Sequence, residues 1–449
     1  MVAHMESAIF MIQFLMQEDG CNMDDAPKIL ILSRGFRAGD AITTLNLFSQ
    51  WPKENLYCAS LVETEYSKNV SDFYLLGDRE IKYRFPFNYI YKPLPSHRGP
   101  YLVKNEGNTK ETSILKRIYD NIVRPIMQRL DLYETRFSIS LSKEFETWLE
   151  QIKPEAIYTS IGDIPMAEFL IKIHERCPKI KILIHGFDDW FSPAYRLING
   201  NKHRNVSVSL FKEILSFSTG FFTSSEKMAS DYKAQFGYHF TCFPNPVKVD
   251  PPLKIEHKHT YDNIVFTGKI GWHNQSAISD MMKVVEKINS HNTKKIYFDI
   301  YTDITPNELK CFIGTIPTST RIHKSIPNQE IPNLLASASA VFLPISTDKQ
   351  TTRFTRYSMS TKMGEYLASG VPMIYYGPEG IAMTEFLQKE KCCETIINES
   401  LNTLYDVVLK TISDPDPDMI KKAWIIADKN FNINTIGPRF SSHIQSLLK

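Results

Sequence analysis

The sequence has little cysteine, almost no excess of charge of either sign, and no apolar run long enough to span a membrane. Its 449 residues include seven cysteines, an odd number, and no two of them form a Cys-x-x-Cys pair. A zinc site or a disulfide framework is therefore not expected, and a reducing cytoplasm fits this composition. The apolar stretch over residues 9–16 is shorter than the ~20 residues that a spanning helix needs and has no basic leader, so we expect no signal peptide.

The near balance of charge argues against a generic nucleic-acid-binding protein. Fifty-two Lys and Arg residues against 50 Asp and Glu residues give a formal net charge of +2. Hydrophobic residues make up 43% of the chain and aromatic residues 12%, which is typical of a globular protein. At ~150 residues per domain, the length predicts two or three domains.

Short apolar strands alternate with helical segments in two series. Residues 29–32 are a continuous apolar run, followed by a loop that contains Gly35 and Gly39 and then by a helical segment. Similar units recur over residues 156–236 and again from residue 263 onward. This alternation predicts an α/β protein with two doubly wound, Rossmann-like domains that face each other across a cleft. Ligands of such sheets bind at the C-terminal ends of the strands.

A proline-rich break separates the two series. Residues 243–252 contain Phe-Pro-Asn-Pro and Asp-Pro-Pro, and the residues after them are polar and rich in histidine. The predicted organisation is a lead-in over 1–27, a first domain over 28–247, a linker over 248–261, a second domain over 262–430 and a last segment over 431–449.

The segment over residues 81–130 does not follow the alternation. It holds ten Lys and Arg residues against three Asp and Glu residues, interleaved with seven Tyr and Phe residues. One interpretation is an irregular insertion that packs its rings on the first domain. A second, equally favoured, is contact with a membrane or a lipid-linked acceptor, because cations meet anionic lipid and rings enter the headgroup layer. Binding of single-stranded nucleic acid is the least favoured, and no nucleic-acid partner is expected.

The most informative stretch begins at Ser360. On a helix over residues 361–369, one face is apolar and must meet the core, whereas Glu365 points nearly opposite and is free to face solvent or a cleft. The free amides of Ser360 and Thr361, with Lys362 beside them, suit an anionic diphosphate. A carboxylate one turn deeper suits the hydroxyls of a sugar or ribose. An ordinary solvated helix face is the alternative.

Two further loops are candidates for phosphate binding. Lys269 lies just past a strand end beside Gly268, where glycine permits close approach and lysine adds charge, although a solvated loop lysine is the alternative. Gly35 and Gly39 bracket Arg37, which binds phosphate or is plain surface charge. These two glycines do not form a Gly-x-Gly-x-x-Gly fingerprint, so no dinucleotide cofactor is expected.

Polar residues at strand ends of the first domain are candidates for acceptor binding. His185 closes a strand, where it can orient an acceptor or serve as a satisfied structural histidine. Asp188 or Asp189 is a candidate acceptor base, and Asp163 a candidate acceptor contact, but each is equally suited to cap a helix.

Four segments together resemble a known family. Residues 360–372, Ser-Thr-Lys-Met-Gly-Glu-Tyr-Leu-Ala-Ser-Gly-Val-Pro, resemble the donor-binding signature of nucleotide-sugar glycosyltransferases of the GT-B fold, in particular the retaining family four. Residues 224–228, 244–247 and 266–270 resemble three other landmarks of that family, in the expected order. The chain departs from the pattern in two places: Tyr357 stands where the family usually has the first glutamate of a Glu-x7-Glu pair, and Lys269 stands where it has arginine.

The resemblance implies a transferase that moves a sugar from a UDP- or GDP-linked donor to a glycan or lipid-linked acceptor. It implies retention of configuration, no metal or other cofactor, and a role in bacterial-type surface polysaccharide assembly, in the cytoplasm or at the inner face of the membrane. It also implies that residues 431–449 return to the first domain. The implied donor contacts are Gly35, Arg37, Gly39, Gly268, Lys269, Ser360, Thr361, Lys362, Glu365 and Glu379.

The strand-end position of His185 and the motifs around Glu365 and Lys269 make these three the candidate catalytic residues. Positions at strand ends make His185, Asp188 and Asp163 the candidate acceptor contacts. Two alternatives stay open. One is a nucleotide-sugar-binding subunit without activity, and the other is an epimerase or phosphorylase of the same fold.

Overall fold

The structure is a computed structural model, and part of the chain lies outside what it describes. The described residues are 26–36, 38–85, 87–89, 91–99, 122–123, 126–127, 135–191, 200–253, 261–291, 295–398 and 400–449. Arg37, most of the basic and aromatic segment after residue 99, and linker residues 254–260 therefore lie outside the described residues.

Strands run through the whole of the described chain. They are β1 Ile29–Ser33, β2 Leu56–Ser60, β3 Asp72–Leu75, β4 Ile81–Tyr83, β5 His97–Arg98, β6 Phe137–Ile139, β7 Ala156–Thr159, β8 Lys181–Gly186, β9 Gly220–Thr223, β10 Thr241–Cys242, β11 Asp262–Thr267, β12 Ile296–Thr302, β13 Thr320–Lys324, β14 Ala340–Pro344, β15 Met373–Gly377 and β16 Glu394–Ile397.

Helices connect most of these strands. They are α1 Ala38–Leu47, α2 Lys143–Ile152, α3 Ile164–Arg176, α4 Gly200–Phe217, α5 Glu226–Phe236, α6 Gln275–His291, α7 Pro306–Ile313, α8 Ile331–Ala336, α9 Lys349–Phe354, α10 Thr361–Leu367, α11 Ala382–Glu390, α12 Leu401–Ser413, α13 Pro417–Phe431 and α14 Ile433–Leu448. Short 3₁₀ turns span Lys53–Asn55, Glu65–Asn69, Phe87–Tyr89 and Asn328–Glu330.

The strands form two main sheets. The first sheet has the order β10-β9-β8-β7-β1-β2-β3-β5, parallel throughout except for the antiparallel β5. The second sheet has the order β13-β12-β11-β14-β15-β16 and is parallel throughout. In both sheets the order reverses beside the first strand, between β1 and β7 and between β11 and β14. This is the doubly wound arrangement, in which ligands bind outside the carboxyl ends of the strands at the reversal point.

The burial of the strands explains why they read as apolar runs. Every residue of β14 and of β15 is buried, as expected of a parallel sheet covered on both faces. Polar side chains mark the helix starts: Asp163 caps α3 and Ser225 caps α5. The predicted α/β class with doubly wound sheets is confirmed.

The last helix packs against the first sheet. Phe440 of α14 is fully buried, with its ring centroid 5.2 Å from that of Phe48 and 5.9 Å from that of Tyr158. The chain reaches this position through a bridge beside Val247, whose amide donates to Phe431 O at 2.7 Å and whose carbonyl accepts from Ile433 N at 2.9 Å.

Two boundaries differ from the sequence-based expectation. Helix α1 begins at Ala38, so Gly39 lies in its first turn and not in the preceding loop. The lead-in predicted to end at residue 27 ends at least two residues earlier, because Ala26 and Pro27 accept hydrogen bonds from Asn55 Nδ2 and Trp51 Nε1. The remaining domain limits stay predictions.

Candidate functional site

The C-terminal end of β11 meets the start of α10 at Gly268. The backbone there has a φ of +118°, which only glycine adopts without strain. A Cβ atom on this residue would lie 2.7 Å from Lys362 Nζ and still closer to Lys362 Cε. Because Gly268 has no side chain, the side chain of Lys362 lies across the end of β11. This position is beside the point at which the strand order of the second sheet reverses.

Tyr366 fastens α10 to the same strand. Its hydroxyl oxygen accepts from Thr267 N at 2.8 Å and lies 3.2 Å from Thr267 Oγ1. The ring is fully buried, as are the side chains of Met363 and Leu367 on the same helix face. The core face predicted from helical spacing is thus confirmed, and Lys362 and Glu365 lie off that face.

The electrostatics of this corner favour an anion. Within the described residues, Lys362 has no carboxylate within ion-pair distance, although it is partly buried. Burial lowers the pKa of Lys362; the nearby Glu365 opposes this shift, and the like charge of Lys269 adds to it. Burial likewise raises the pKa of Glu365, against the effect of Lys362. A bound anion would stabilise both cations and compensate the desolvation of Lys362.

The loop after β11 is held firmly beside the lysines. Asn274 Oδ1 accepts from Gly271 N at 2.9 Å, and Asn274 Nδ2 donates to Lys269 O at 3.1 Å. His273 O accepts from Ser346 N at 2.8 Å, which ties this loop to the end of β14. Burial, and then the charge of Lys362, lower the pKa of His273, so its ring is neutral at pH 7.

The segment just before α10 is bound to helix α5, to its N-cap residue and to the loop at Asn245. Tyr357 Oη and Arg356 Nη2 each donate to Asp231 Oδ2 at 2.8 Å. Tyr357 O accepts from Ser225 Oγ at 2.9 Å, and Asn245 Nδ2 donates to Met359 O at 2.8 Å. Residues 356–359 are therefore hydrogen-bonded to the part of the chain that forms the first sheet and its helices. Lys362 follows three residues after Met359.

The other predicted donor contacts vary in placement. Ser360 precedes α10 without making a side-chain capping bond, and Thr361 is exposed. Glu379 is exposed in the loop after β15. Gly35 follows β1 at the reversal point of the first sheet, whereas Gly39 is exposed on α1.

The placement of His185 corrects the expectation that it contacts a substrate. The side chain is 0% exposed, and both ring nitrogens bind the protein. Phe243 O lies 3.1 Å from Nε2 and can only accept, so Nε2 carries the proton and Nδ1 accepts from Tyr158 Oη at 2.7 Å. Burial lowers the pKa of His185 to about 3, against the effect of the backbone groups of Thr223 and Phe243. The residue is a neutral structural histidine.

The two acidic candidates differ from each other. Asp163 is 1% exposed and is used internally: Oδ1 accepts from Met166 N at 2.8 Å, and Oδ2 lies 2.9 Å from Arg34 Nε. The predicted acceptor contact at Asp163 is therefore corrected to a helix cap that holds Arg34 at the reversal point. Asp188 keeps an exposed part and accepts from Ser358 Oγ at 2.9 Å; surrounding protein raises its pKa, and this hydrogen bond opposes the shift.

Several residues of this site carry no recognisable signal in the sequence. Asp231 lies mid-helix in α5, and its contact with Tyr357 joins positions 126 residues apart. Asn245 was recognised only as part of the linker entry. The sequence predicts that Thr267 is a strand residue and that Tyr366 is a core residue. Only their hydroxyl groups indicate that the two side chains are in contact.

Comparison with known proteins identifies the fold. No protein-family model matches the chain, and no curated protein matches it in sequence. Among solved structures, HepE of Anabaena, in complex with UDP-glucose, is 11% identical, with 94% of this chain and 100% of that chain covered and a TM-score of 0.58. A glycosyltransferase of Rickettsia africae is 11% identical over 94% and 99% of the two chains, with a TM-score of 0.59.

A third solved structure agrees with these two. Sucrose-phosphate synthase of Thermosynechococcus elongatus is 10% identical over 94% of this chain and 99% of that chain, with a TM-score of 0.58. The chain has the GT-B fold. Its two Rossmann-like sheets therefore face each other across a cleft, with the corner of Gly268, Lys269 and Lys362 at the edge of the second sheet.

The described residues contain neither a membrane-spanning helix nor a cluster of metal-binding side chains. No helix among them is long and apolar enough to cross a membrane. No group of three or more His, Cys, Asp or Glu side chains in that part of the chain is arranged to hold a metal ion.

Proposed function

We propose that this GT-B protein is a glycosyltransferase that takes a nucleoside-diphosphate sugar as donor and transfers the sugar to a glycan or lipid-linked acceptor. The observation that carries the proposal is the side chain of Lys362, which lies across Gly268 beside Lys269 and has no carboxylate partner among the described residues. UDP-sugars are the first donors to test, since HepE was solved with UDP-glucose.

The chemistry follows from where charge develops. Glycosyl transfer breaks the bond between the anomeric carbon and a diphosphate oxygen, so negative charge grows on the leaving diphosphate. Fixed cations stabilise that charge most when they are already in place and partly shielded from water. Lys362 meets both conditions, since it is partly buried and lies across Gly268, and the exposed Lys269 adds a second positive charge. Glu365 is placed to accept hydrogen bonds from hydroxyls of the sugar or ribose.

The acceptor side is assigned to the first sheet. With His185 and Asp163 used internally, Asp188 is the remaining predicted acceptor contact; desolvation raises its pKa, which makes this carboxylate a stronger base. Retention of configuration and a role in bacterial-type surface polysaccharide assembly belong to this proposal through the family resemblance. A reducing, cytoplasmic setting is supported by the free thiols of the described cysteines.

We also propose that the first domain contacts the membrane through the described basic and aromatic residues at and after β4, a strand that pairs with β6 outside the first sheet. Phe85 is 80% exposed and Tyr89 is 78% exposed, with ring centroids 6.2 Å apart, and Lys82 and Arg84 are exposed beside them. By contrast, Tyr83 stacks on Tyr91 at 5.1 Å and is only partly exposed. Part of the segment therefore packs on the protein, and the outward rings and cations suit an anionic lipid surface.

The proposed reaction is tested by donor binding and turnover. We expect one UDP- or GDP-sugar to raise the thermal midpoint selectively and to be consumed with release of nucleoside diphosphate when acceptor is supplied. Lys362→Ala should weaken diphosphate binding about tenfold or more, since one lost charge-assisted contact is worth ~1.5–3 kcal/mol. Lys389→Ala, which removes an exposed lysine on α11, is the matched control. Equal binding by both variants would refute the assignment.

A binding subunit without activity is the second candidate, favoured by Tyr357. This residue stands where the resembled family has its first glutamate, and its hydroxyl is committed to Asp231. A subunit of this kind would bind the donor with the same dependence on Lys362 but release no nucleoside diphosphate with any acceptor.

The membrane contact is tested separately by flotation with vesicles. The double variant Phe85→Ser with Tyr89→Ser should lose binding to vesicles that contain anionic lipid, while Leu401→Ser, at a site 40% exposed on α12, should not. Unchanged flotation of the double variant would remove the membrane contact from the proposal.

A further inference from the structure

An exposed aromatic ring in the loop that follows Lys269 packs on a partly buried one. Trp272 is 42% exposed, and its ring centroid lies 4.9 Å from that of Phe354, with 58° between the two planes. Trp272 belongs to the loop after β11, and Phe354 ends α9, which follows β14. Since β11 and β14 are the strands between which the order of the second sheet reverses, the two rings flank the crevice where such sheets bind ligands.

The exposed ring is presented by a fixed loop. Asn274, whose side chain is buried, follows Trp272 and binds Gly271 N and Lys269 O, which precede it, so the turn that carries Trp272 is closed. The bond from Ser346 N to His273 O holds the next residue. The tryptophan ring therefore contributes little to the core and is held outward by contacts that do not involve its indole.

Three of the other tryptophans in the described chain use their indole nitrogens, whereas Trp190 Nε1 is buried without a hydrogen-bond partner. The indole nitrogens of Trp51, Trp148 and Trp424 each donate a hydrogen bond to the protein, to Pro27 O, Asp72 Oδ2 and Asp250 O. Trp272 Nε1 makes no such bond to the described residues. A large ring on a rigid support, with a free donor at its rim and cations beside it, has the features of a ligand surface.

We propose that Trp272, backed by Phe354, is a platform on which one face of a pyranose ring stacks; this inference rests on the proposed function. A pyranose presents weakly polarised C–H groups on its faces, which suit the electron-rich face of an indole, and hydroxyls around its rim. The rim hydroxyls find polar partners at Lys269, which is exposed, and at His273, whose neutral ring accepts as well as donates.

The sugar ring that stacks on Trp272 can come from either of two molecules, the donor sugar or the acceptor glycan. The test compares wild type with Trp272→Ala and Trp272→Phe by calorimetry. The probes are UDP, four UDP-sugars (glucose, galactose, N-acetylglucosamine and glucuronate) and the four corresponding methyl glycosides. Ile425→Ala, an exposed side chain on α13, is the matched control.

We expect UDP affinity to stay within twofold in every variant. In Trp272→Ala, affinity for at least one UDP-sugar or one methyl glycoside should fall tenfold or more, and Trp272→Phe should recover part of it. A fall confined to UDP-sugars assigns the platform to the donor sugar, and a fall confined to methyl glycosides assigns it to the acceptor. The platform is overturned if UDP itself weakens as much as its sugars, which would mean base stacking, or if no sugar probe responds.

Indole fluorescence separates failure of the platform from failure of the proposed function. Sugar probes should change the emission of wild type and not that of Trp272→Phe. If wild type binds neither UDP nor any UDP-sugar, the proposed function fails. In that case the measurements with methyl glycosides alone test the platform. A change in emission that depends on Trp272 supports the platform, and no change overturns it.

Discussion

The carboxyl edges of the two sheets carry similar polar residues that are used in opposite ways. At the edge of the first sheet, His185 and Asp163 are almost fully buried, and each polar atom of the two side chains meets a protein group. At the edge of the second sheet, Lys362 and Glu365 are partly buried, and no described residue forms an ion pair with them. Polar groups at a strand end indicate a ligand site only where the protein leaves them unsatisfied.

Two glutamates show the same contrast. Glu80 is 0% exposed and accepts from Tyr74 Oη at 2.8 Å, Gly77 N at 2.9 Å and Ser96 Oγ at 2.6 Å. It organises the loop that leads from β3 to β5 and has nothing left to offer a ligand. Burial raises the pKa of Glu365, by contrast, because nothing nearby compensates it except Lys362. We therefore expect substitutions at the first edge to lower the stability of the protein, and substitutions at the second edge to weaken ligand binding.

The largest expected effect is the loss of stability in His185→Ala. The change leaves Tyr158 Oη and Phe243 O without partners and opens a cavity, which costs about 3–5 kcal/mol of the free energy of unfolding. Urea unfolding measures this loss. Binding of UDP-sugars by the folded fraction should persist, and its selective loss with unchanged stability would restore His185 to the active site.

Gly268→Ala should instead damage binding. The added Cβ would collide with the side chain of Lys362 at a backbone φ of +118°, so we expect a loss of about 1–3 kcal/mol in stability and a tenfold or greater loss of diphosphate affinity. Gly314→Ala, also at positive φ but with open space around its Cβ position, is the control for backbone strain alone. Equal effects of the two changes on affinity would refute the role of Gly268.

The first edge should also respond to acid. An unfolded histidine has a pKa of about 6.5, whereas that of His185 is lowered to about 3 by burial. Between these values the unfolded chain binds a proton that the folded chain does not, so stability falls as the pH falls, by up to ~1.4 kcal/mol per pH unit. Unfolding of wild type and of His185→Gln between pH 6.5 and 4.5 measures this contribution, which should be absent from the variant.

Tyr366→Phe should have the smallest effect. It leaves Thr267 N without a partner and frees α10 slightly from β11, at a cost of about 1 kcal/mol. Because Lys362 lies on the same helix, the KM for the donor should rise a few-fold while kcat changes less. A purely structural role would lower stability without changing KM.

The sequence predicted the architecture because its signals are local. Alternating strands and helices, proline-rich breaks and the apolar face of α10 depend on residues close together in the chain. Pairings over long separations were not predictable. Asp163 and His185 look like functional residues until their distant partners, Arg34 and Phe243, are known. The fit of Lys362 against Gly268 joins two motifs that the sequence presents separately.

The packing of α14 has a consequence for biosynthesis. Ile436, Phe440 and Ile444 are buried in the same apolar cluster as Ile29, Phe48 and Tyr158, although some 280 residues or more separate the two groups. Until the ribosome has synthesised the second sheet and α14, the apolar groove of the first sheet that α14 covers stays exposed. The first half cannot finish folding before the second has been synthesised, so a stalled or truncated nascent chain would expose this groove to chaperones and to aggregation.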